Sequence, residues 1–127
     1  MSNSHRVMIV EDDNDVRTAL GQLLSSQGYE VGLAADGAEG IAMLDANPQT
    51  CVVVVDLLMP GIVGHELLDY MRGDPDLATI PVAIISGSPQ LAPAGYQVFP
   101  KPLDSRALLA YVRSGCERRH AQGAEHA

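Results

Sequence analysis

The chain has 127 residues, of which 46% are hydrophobic, and its 16 acidic and 8 basic side chains give a formal net charge of -8 at pH 7. This length fits one domain with its own core, and no apolar run is long enough for a membrane span or a signal peptide, so we expect a cytoplasmic protein. The excess of acidic residues argues against nucleic acid as a direct partner, because neutralising phosphates requires clustered cations.

The first half of the chain predicts two strand-to-helix units. The apolar run from Arg6 to Val10 is typical of a strand, and three acidic residues follow it at once. Apolar residues at helical spacing then predict a helix from about Asn14 to Gln27, which Gly28 ends. The residues from Glu30 to Ala34 predict a weaker strand, and Asp36 can cap the short helix that follows it.

The second half begins with a stronger signal. Four consecutive valines, residues 52–55, predict a strand that is buried on both faces, and Asp56 lies at its carboxyl end. Periodic apolar residues and turn signals further along predict two more helices and two more strands. These elements are a helix with Leu67, Leu68 and Met71 on its inner side that ends near Gly73, a strand from Pro81 to Ile85, a short strand from Tyr96 to Phe99, and a helix from Leu103 to about Arg118.

Alternation of strands and helices predicts an α/β fold. We expect a doubly wound, five-stranded parallel sheet of order 2-1-3-4-5 with helices on both faces, because right-handed crossovers place the helices there. Residues 1–118 would form this single domain, and residues 119–127, which are polar and small, would form a flexible carboxyl-terminal tail.

In that topology several chemically active side chains meet at one edge of the sheet. They follow the carboxyl ends of strands one, three, four and five and are Glu11-Asp12-Asp13, Asp56, Ser86 and Lys101, the last being the only lysine in the chain. Clustered carboxylates repel one another unless a cation joins them, and Mg2+ is the natural candidate. Asp56 is then a candidate nucleophile for phosphoryl transfer, with Lys101 and the Ser86 hydroxyl holding phosphoryl oxygens.

Each of these residues also has a purely structural interpretation. Asp12 or Asp13 can cap the first helix, Ser86 can be a turn residue, and Lys101 can be a solvated surface charge. Asp56 by itself is equally consistent with a turn cap. We favour the functional interpretation because each residue ends a different strand of the same predicted sheet.

The chain resembles the receiver domains of two-component response regulators over about residues 5 to 116. Four motifs in the family's order carry this resemblance. They are Val10-Glu11-Asp12-Asp13 after the first strand, Asp56-Leu57-Leu58-Met59-Pro60-Gly61 after the third, Ile80-Pro81-Val82-Ala83-Ile84-Ile85-Ser86-Gly87 at the fourth, and Lys101-Pro102 after the fifth.

The resemblance implies a role for each residue of the site. Asp56 would receive a phosphoryl group from a phosphohistidine on a sensor histidine kinase or a histidine phosphotransfer protein. Aligning the first helix on the family pattern assigns Glu11 and Asp12 to the acidic pair and leaves Asp13 as a helix cap. Mg2+ would be bound by Asp12, Asp56 and the backbone carbonyl of Leu58, with Glu11 acting through water. Lys101 would hold the phosphoryl oxygen, and its bond to the following proline is often cis in such domains.

Such a domain is a signalling phosphoacceptor rather than an enzyme with its own substrate. Leu58 lies two residues after Asp56, at a position that in receivers influences access of the hydrolytic water, as does Ser88. Because an apolar Leu58 cannot orient water, we predict slow self-dephosphorylation. Aspartyl phosphatases usually carry a second Asp where this chain has Leu58, which argues against that enzyme class.

Two features depart from the family pattern. Only fourteen residues, 87–100, separate Ser86 from Lys101, and they include prolines at 89 and 93, so the family's fourth helix should be absent or reduced to one turn. Val98 stands where receivers usually carry an aromatic switch residue, and Tyr96, on the same face of the strand, is the candidate substitute. Because both changes affect the family's usual dimer surface of helix four, strand five and helix five, signalling by that dimer is doubtful.

Two further questions stay open in the sequence. A pseudo-receiver that binds a protein independently of phosphorylation is the alternative function, and output through a downstream protein target, alone or within a larger parent protein, is expected in either case. Cys51 and Cys116 are expected to be unpaired thiols that bind no metal. The four histidines lack metal-ligand spacing and are expected at the surface; they are His5, His65, His120 and His126.

Overall fold

A computed structural model describes residues 5–57 and 63–125. Within these ranges five strands form one parallel sheet of order β2-β1-β3-β4-β5, as predicted. The strands are β1 (Arg6–Val10), β2 (Glu30–Ala34), β3 (Val52–Leu57), β4 (Val82–Ser86) and β5 (Gln97–Pro100). The strand order confirms the doubly wound α/β fold.

Four α-helices lie in the described ranges and connect or follow these strands. They are α1 (Asn14–Ser25), α2 (Gly37–Ala46), α3 (Val63–Arg72) and α4 (Ser105–Glu125). Helix α1 ends two residues before the predicted Gln27, and the chain then turns at Gly28, whose φ of 91° is a backbone conformation that glycine adopts without strain. Asp36 caps α2 by accepting a hydrogen bond from the Glu39 amide at 2.8 Å, as the sequence predicted.

The sheet is covered on both faces. On one face, α2 and α3 pack against the sheet through Leu44, Leu67, Leu68 and Met71. On the other face, α1 and α4 pack through a second apolar group, whose helical members are Leu20, Leu24, Leu108, Val112 and Cys116. The valines of β3 are fully buried because alternate residues of a central strand point into the two layers.

The connection between β4 and β5 is short. It contains a single 3-10 turn, Pro89–Leu91, and no α-helix forms between Ser86 and Gln97. The two prolines predicted this outcome, since neither fits a regular helix interior. Where receivers usually have a helix between the fourth and fifth strands, this chain therefore has a single turn, and α4 is the helix after β5.

The carboxyl-terminal helix is longer than predicted. Helix α4 continues to Glu125 instead of ending near Arg118, so the segment predicted as a tail is helical through Glu125. Arg119 helps to explain the extension, because its guanidinium bonds the Pro48 carbonyl at 3.2 Å and also the Thr79 hydroxyl. No helix in the described ranges is long and apolar enough to cross a membrane.

Candidate functional site

The register of the sheet brings the predicted site residues to one edge. Val10 pairs with Val55, so Glu11 and Asp56 follow adjacent positions at the carboxyl ends of β1 and β3. Ser86 ends β4, and its carbonyl accepts a hydrogen bond from the Lys101 amide at 3.0 Å. Four different strands thus supply one polar cluster.

Asp56 is a buried carboxylate in contact with a cation. Its side chain is 1% exposed, and the Lys101 ammonium lies 2.9 Å from Asp56 Oδ1. Apart from this ion pair, neither carboxylate oxygen of Asp56 has a hydrogen-bond partner within the described ranges. A buried carboxylate normally accepts several hydrogen bonds, so these oxygens are available to a ligand.

Glu11 is a second buried carboxylate beside Asp56. It is 0% exposed, its Oε2 accepts a hydrogen bond from the Asp13 amide at 2.8 Å, and its Oε1 has no partner among the described residues. Burial, followed by the neighbouring Asp56 carboxylate, raises the pKa of Glu11 to about 8. Two unsatisfied carboxylates side by side fit a hard divalent cation such as Mg2+, which prefers oxygen ligands.

The other two acids of the loop have different environments. Asp13 is the N-cap of α1, since its Oδ1 accepts hydrogen bonds from the amides of Asp15 at 2.9 Å and Val16 at 3.1 Å. This confirms the predicted helix cap. Asp12 is exposed at the mouth of the cluster, where it lies close enough to Glu11 to contribute to the raised pKa of that residue.

Arg17 fixes the acidic loop from the side of α1. Its Nη1 donates to the carbonyl of Glu11 at 2.8 Å, and its Nη2 donates to the side chain of Asn14 at 2.7 Å. In the sequence, Arg17 only helped to align the first helix with the family pattern. Its role in holding the acidic loop was not predicted. The available signal is an arginine placed one turn into a helix that directly follows an acidic loop.

Ser86 and Lys101 complete the edge. Ser86 is 5% exposed, and its hydroxyl oxygen accepts a hydrogen bond from the Ser88 amide at 3.0 Å. A Cβ at Gly87 would lie 4.0 Å from the Lys101 side chain, so the glycine leaves room beside the lysine. The Lys101–Pro102 peptide bond is cis. Leu58, whose carbonyl was the predicted third protein ligand of Mg2+, lies outside the described residues.

The structure does not place Tyr96 beside Ser86. Tyr96 shares the face of Val98, as predicted, whereas Phe99 packs on the opposite face. Pro100 is the residue of β5 that pairs with Ser86, and Tyr96 precedes the other end of that strand, about 13 Å away at about 3.3 Å per residue. Its hydroxyl accepts a hydrogen bond from Arg72 at 2.9 Å, so Tyr96 is not positioned to substitute for the usual switch residue.

The parallel sheet and its acidic edge define a receiver-type signalling domain. The sequence profile of the response regulator receiver domain matches residues 7–113. The chain therefore belongs to the response regulator receiver domain family, whose members are phosphoacceptor signalling domains. The resemblance inferred from the four motifs is confirmed.

Curated relatives agree with this assignment. Response regulator MprA of Mycobacterium tuberculosis is 35% identical over 116 residues, which cover 87% of this chain and 50% of the relative. A Mycobacterium sp. protein of the same name is 35% identical over 114 residues, covering 86% of this chain and 49% of the relative. The chain thus spans about half the length of these curated relatives.

Solved structures show the same architecture. The receiver domain of the hybrid histidine kinase CckA is 38% identical, with a TM-score of 0.72, and the match covers 87% of this chain and 98% of that one. A response regulator from Chloroflexus aurantiacus is 28% identical, with a TM-score of 0.78, covering 91% of this chain and 99% of that one. These likenesses support one receiver fold across both proteins and this chain.

Proposed function

We propose that Asp56 accepts a phosphoryl group from a phosphohistidine donor in a Mg2+-dependent reaction, and that the phosphorylated domain signals through protein contacts. The observation that carries this proposal is the Asp56 carboxylate itself. It is buried at the carboxyl end of β3, its oxygens lack hydrogen-bond partners in the described ranges, and a lysine ammonium stands 2.9 Å away. The donor would be a sensor histidine kinase or a histidine phosphotransfer protein.

Three described residues would hold the ion. Asp12 and Asp56 offer carboxylate oxygens directly, Glu11 offers its buried carboxylate through water, and the Leu58 carbonyl completes the proposed set. Bound Mg2+ would neutralise the carboxylates and the charge that develops on the phosphoryl oxygens. Arg17 holds the loop that carries two of these acids by bonding the Glu11 carbonyl.

The chemical step exchanges one bond to phosphorus for another. A carboxylate oxygen of Asp56 forms the new O–P bond while the N–P bond to the donor histidine breaks, and the departing imidazole nitrogen keeps that electron pair. The Lys101 ammonium, already beside Asp56, would bind one phosphoryl oxygen. The Ser86 hydroxyl would donate a hydrogen bond to another. These contacts would offset the negative charge on the phosphoryl oxygens.

Intact-protein mass spectrometry tests the proposal. Incubation with acetyl phosphate and Mg2+ should add one phosphoryl group to the wild-type chain and none to Asp56→Asn, which keeps nearly the same shape. Ser114→Ala, at an exposed position of α4, serves as the control and should take up one phosphoryl group as the wild type does. Absence of an adduct in the wild type with acetyl phosphate, phosphoramidate and a phosphorylated histidine phosphotransfer protein would refute the proposal.

A pseudo-receiver is the second candidate function. The observation in its favour is the reduced segment between β4 and β5 together with Val98 at the usual switch position, since both alter the surface that reads the phosphate in the family. A pseudo-receiver would bind its protein partner equally well as wild type or as Asp56→Asn. A phosphorylation-dependent change in that affinity would exclude it.

A further inference from the structure

Three metal-ligating side chains meet at the other end of the sheet from Asp56. His5 precedes β1, Cys51 precedes β3, and Cys116 lies on α4. One ligand atom from each of the three lies within 4.8 Å of the others. The Cys51 sulfur is 3.5 Å from His5 Nδ1, and both cysteines are buried and form no disulfide.

The fold itself brings these residues together. The Cys51 amide donates to the Arg6 carbonyl at 2.7 Å, which fixes the starts of β1 and β3 side by side. Helix α4 approaches the sheet closely at Gly115, where an added Cβ would lie 2.7 Å from a methyl group of Val52. The next residue, Cys116, therefore reaches the start of β3.

We propose that His5, Cys51 and Cys116 form a binding site for a borderline-soft divalent metal ion, with Zn2+ as the physiological ligand. Zn2+ prefers cysteine sulfur and histidine nitrogen in tetrahedral geometry. With Zn–S of about 2.3 Å and Zn–N of about 2.1 Å, a tetrahedral sulfur and nitrogen pair lies about 3.6 Å apart. The separation of Cys51 and His5 already matches this value, and Cys116 places its sulfur within 4.8 Å of both.

The two thiols of the cluster differ in how readily they ionise, which affects metal binding. A hydrogen bond from the Cys116 thiol, aided by His5 and opposed by burial, lowers the pKa of Cys51 to about 6. The same bond and burial raise the pKa of Cys116, so its proton must leave when the ion binds. His5 is half-buried, whereas both cysteines are buried. If the two thiols only bonded each other, His5 would have no role in the cluster.

The site is chemically distinct from the proposed phosphoacceptor site. Cys51 and Asp56 lie at opposite ends of β3, about 16 Å apart along a strand of about 3.3 Å per residue. One site offers sulfur and nitrogen, and the other offers oxygen only. Mg2+ should therefore not compete for the thiol site, because it dehydrates reluctantly and selects oxygen ligands.

Cobalt titration of the reduced, full-length chain under anaerobic conditions tests this proposal. One equivalent of Co2+ should produce the thiolate-to-cobalt charge-transfer absorption and the visible bands of a tetrahedral ion. Zn2+ should abolish these bands, while excess Mg2+ should leave them unchanged. Absence of charge-transfer absorption in the folded, reduced protein would overturn the proposal.

Variants assign the ligands. Cys51→Ser and Cys116→Ser should each lose charge-transfer intensity, with circular dichroism to confirm folding. His5→Gln, at a half-buried position where folding is least at risk, should weaken Co2+ affinity at least about tenfold, a loss that even outer-shell substitutions cause. His65→Gln is the matched control on α3 and should bind as the wild type does. Unchanged affinity in His5→Gln would overturn the three-ligand site.

Discussion

Asp56 and Glu11 are two buried carboxylates in one site, an arrangement that is electrostatically unfavourable unless a cation joins them. Both carboxylates are buried, and each has oxygens without a hydrogen-bond partner among the described residues. Lys101 offsets the charge of Asp56 through an ion pair of 2.9 Å. Such an arrangement favours a cation that joins the carboxylates, which is the electrostatic basis of the proposed Mg2+ binding.

The division of roles among the three consecutive acids can be tested residue by residue. Glu11→Gln and Asp12→Asn should each slow phosphorylation by acetyl phosphate and Mg2+ by at least about tenfold, since each removes a proposed metal contact. Asp13→Ala should instead phosphorylate at nearly the wild-type rate while losing about 1 kcal/mol of unfolding free energy, because it removes the cap of α1.

Mass spectrometry of the adduct and urea unfolding provide the two measurements for these acid variants. Asp13→Asn is the control, as asparagine caps helices about as well as aspartate does. A loss of phosphorylation in Asp13→Asn with none in Asp12→Asn would show that the acidic pair is shifted by one residue.

We predict that the lifetime of the phosphoryl group depends on Leu58, because its apolar side chain cannot orient a hydrolytic water. Leu58→Asn should shorten that lifetime by about two- to tenfold, because one added hydrogen bond contributes about 0.5–1.5 kcal/mol to the transition state for hydrolysis. Loss of the adduct is followed by mass spectrometry after removal of acetyl phosphate. Leu58→Met keeps an apolar side chain and should match the wild type, whereas faster loss in the wild type than in Leu58→Asn would contradict the prediction.

At the scale of elements, the packing of α4 depends on one residue without a side chain. Gly115 is buried, and an added Cβ would meet Val52 at 2.7 Å and Pro81 at 3.2 Å. Neither neighbour can move freely, since Val52 is fully buried in β3 and the ring of Pro81 is rigid. The close approach of α4 to the sheet therefore requires glycine at position 115.

Gly115→Ala should destabilise the protein by about 1 kcal/mol or more. Overpacking costs about 1–3 kcal/mol and outweighs the gain of up to about 1 kcal/mol that alanine brings to a helix interior. Urea unfolding measures the difference, and Ser114→Ala, at the exposed neighbouring position, should change stability by no more than about 0.5 kcal/mol. A Gly115→Ala chain as stable as the wild type would show that α4 can shift away from the sheet.

The elements also show what the sequence can and cannot predict. The sheet order was predicted from the pattern of strands, with the valines of β3 as the central strand. The proximity of Asp56 and Lys101 followed from that order, because the topology brings the carboxyl ends of the strands together. The end of α4 was predicted too early, since residues 119–125 carry no apolar periodicity and Arg119 is anchored by contacts distant in sequence. The thiol cluster was missed for the same reason: its three members come from three elements far apart in the chain.

At the scale of the whole molecule, the reduced segment between β4 and β5 changes the surface next to the proposed phosphoacceptor, Asp56. The 3-10 turn Pro89–Leu91 replaces a full helix, and the adjoining β5 has only four residues. Tyr96 is held by Arg72 through a hydrogen bond and by the guanidinium lying 5.7 Å from the ring centre. The face of β5 that carries the switch position therefore presents Val98 and Pro100 near Ser86, and neither side chain has a polar group that could bond the serine hydroxyl.

We therefore predict that phosphorylation leaves this chain monomeric. Stable interfaces bury about 800 Å² on each partner, and a one-turn segment beside a four-residue edge strand offers little of the helical surface that the family uses for dimers. Sedimentation velocity with acetyl phosphate and Mg2+ should give the mass of one chain, equal to that of Asp56→Asn under the same conditions. A dimer that forms in the wild type and not in Asp56→Asn would show that a different surface of this domain reads the phosphate.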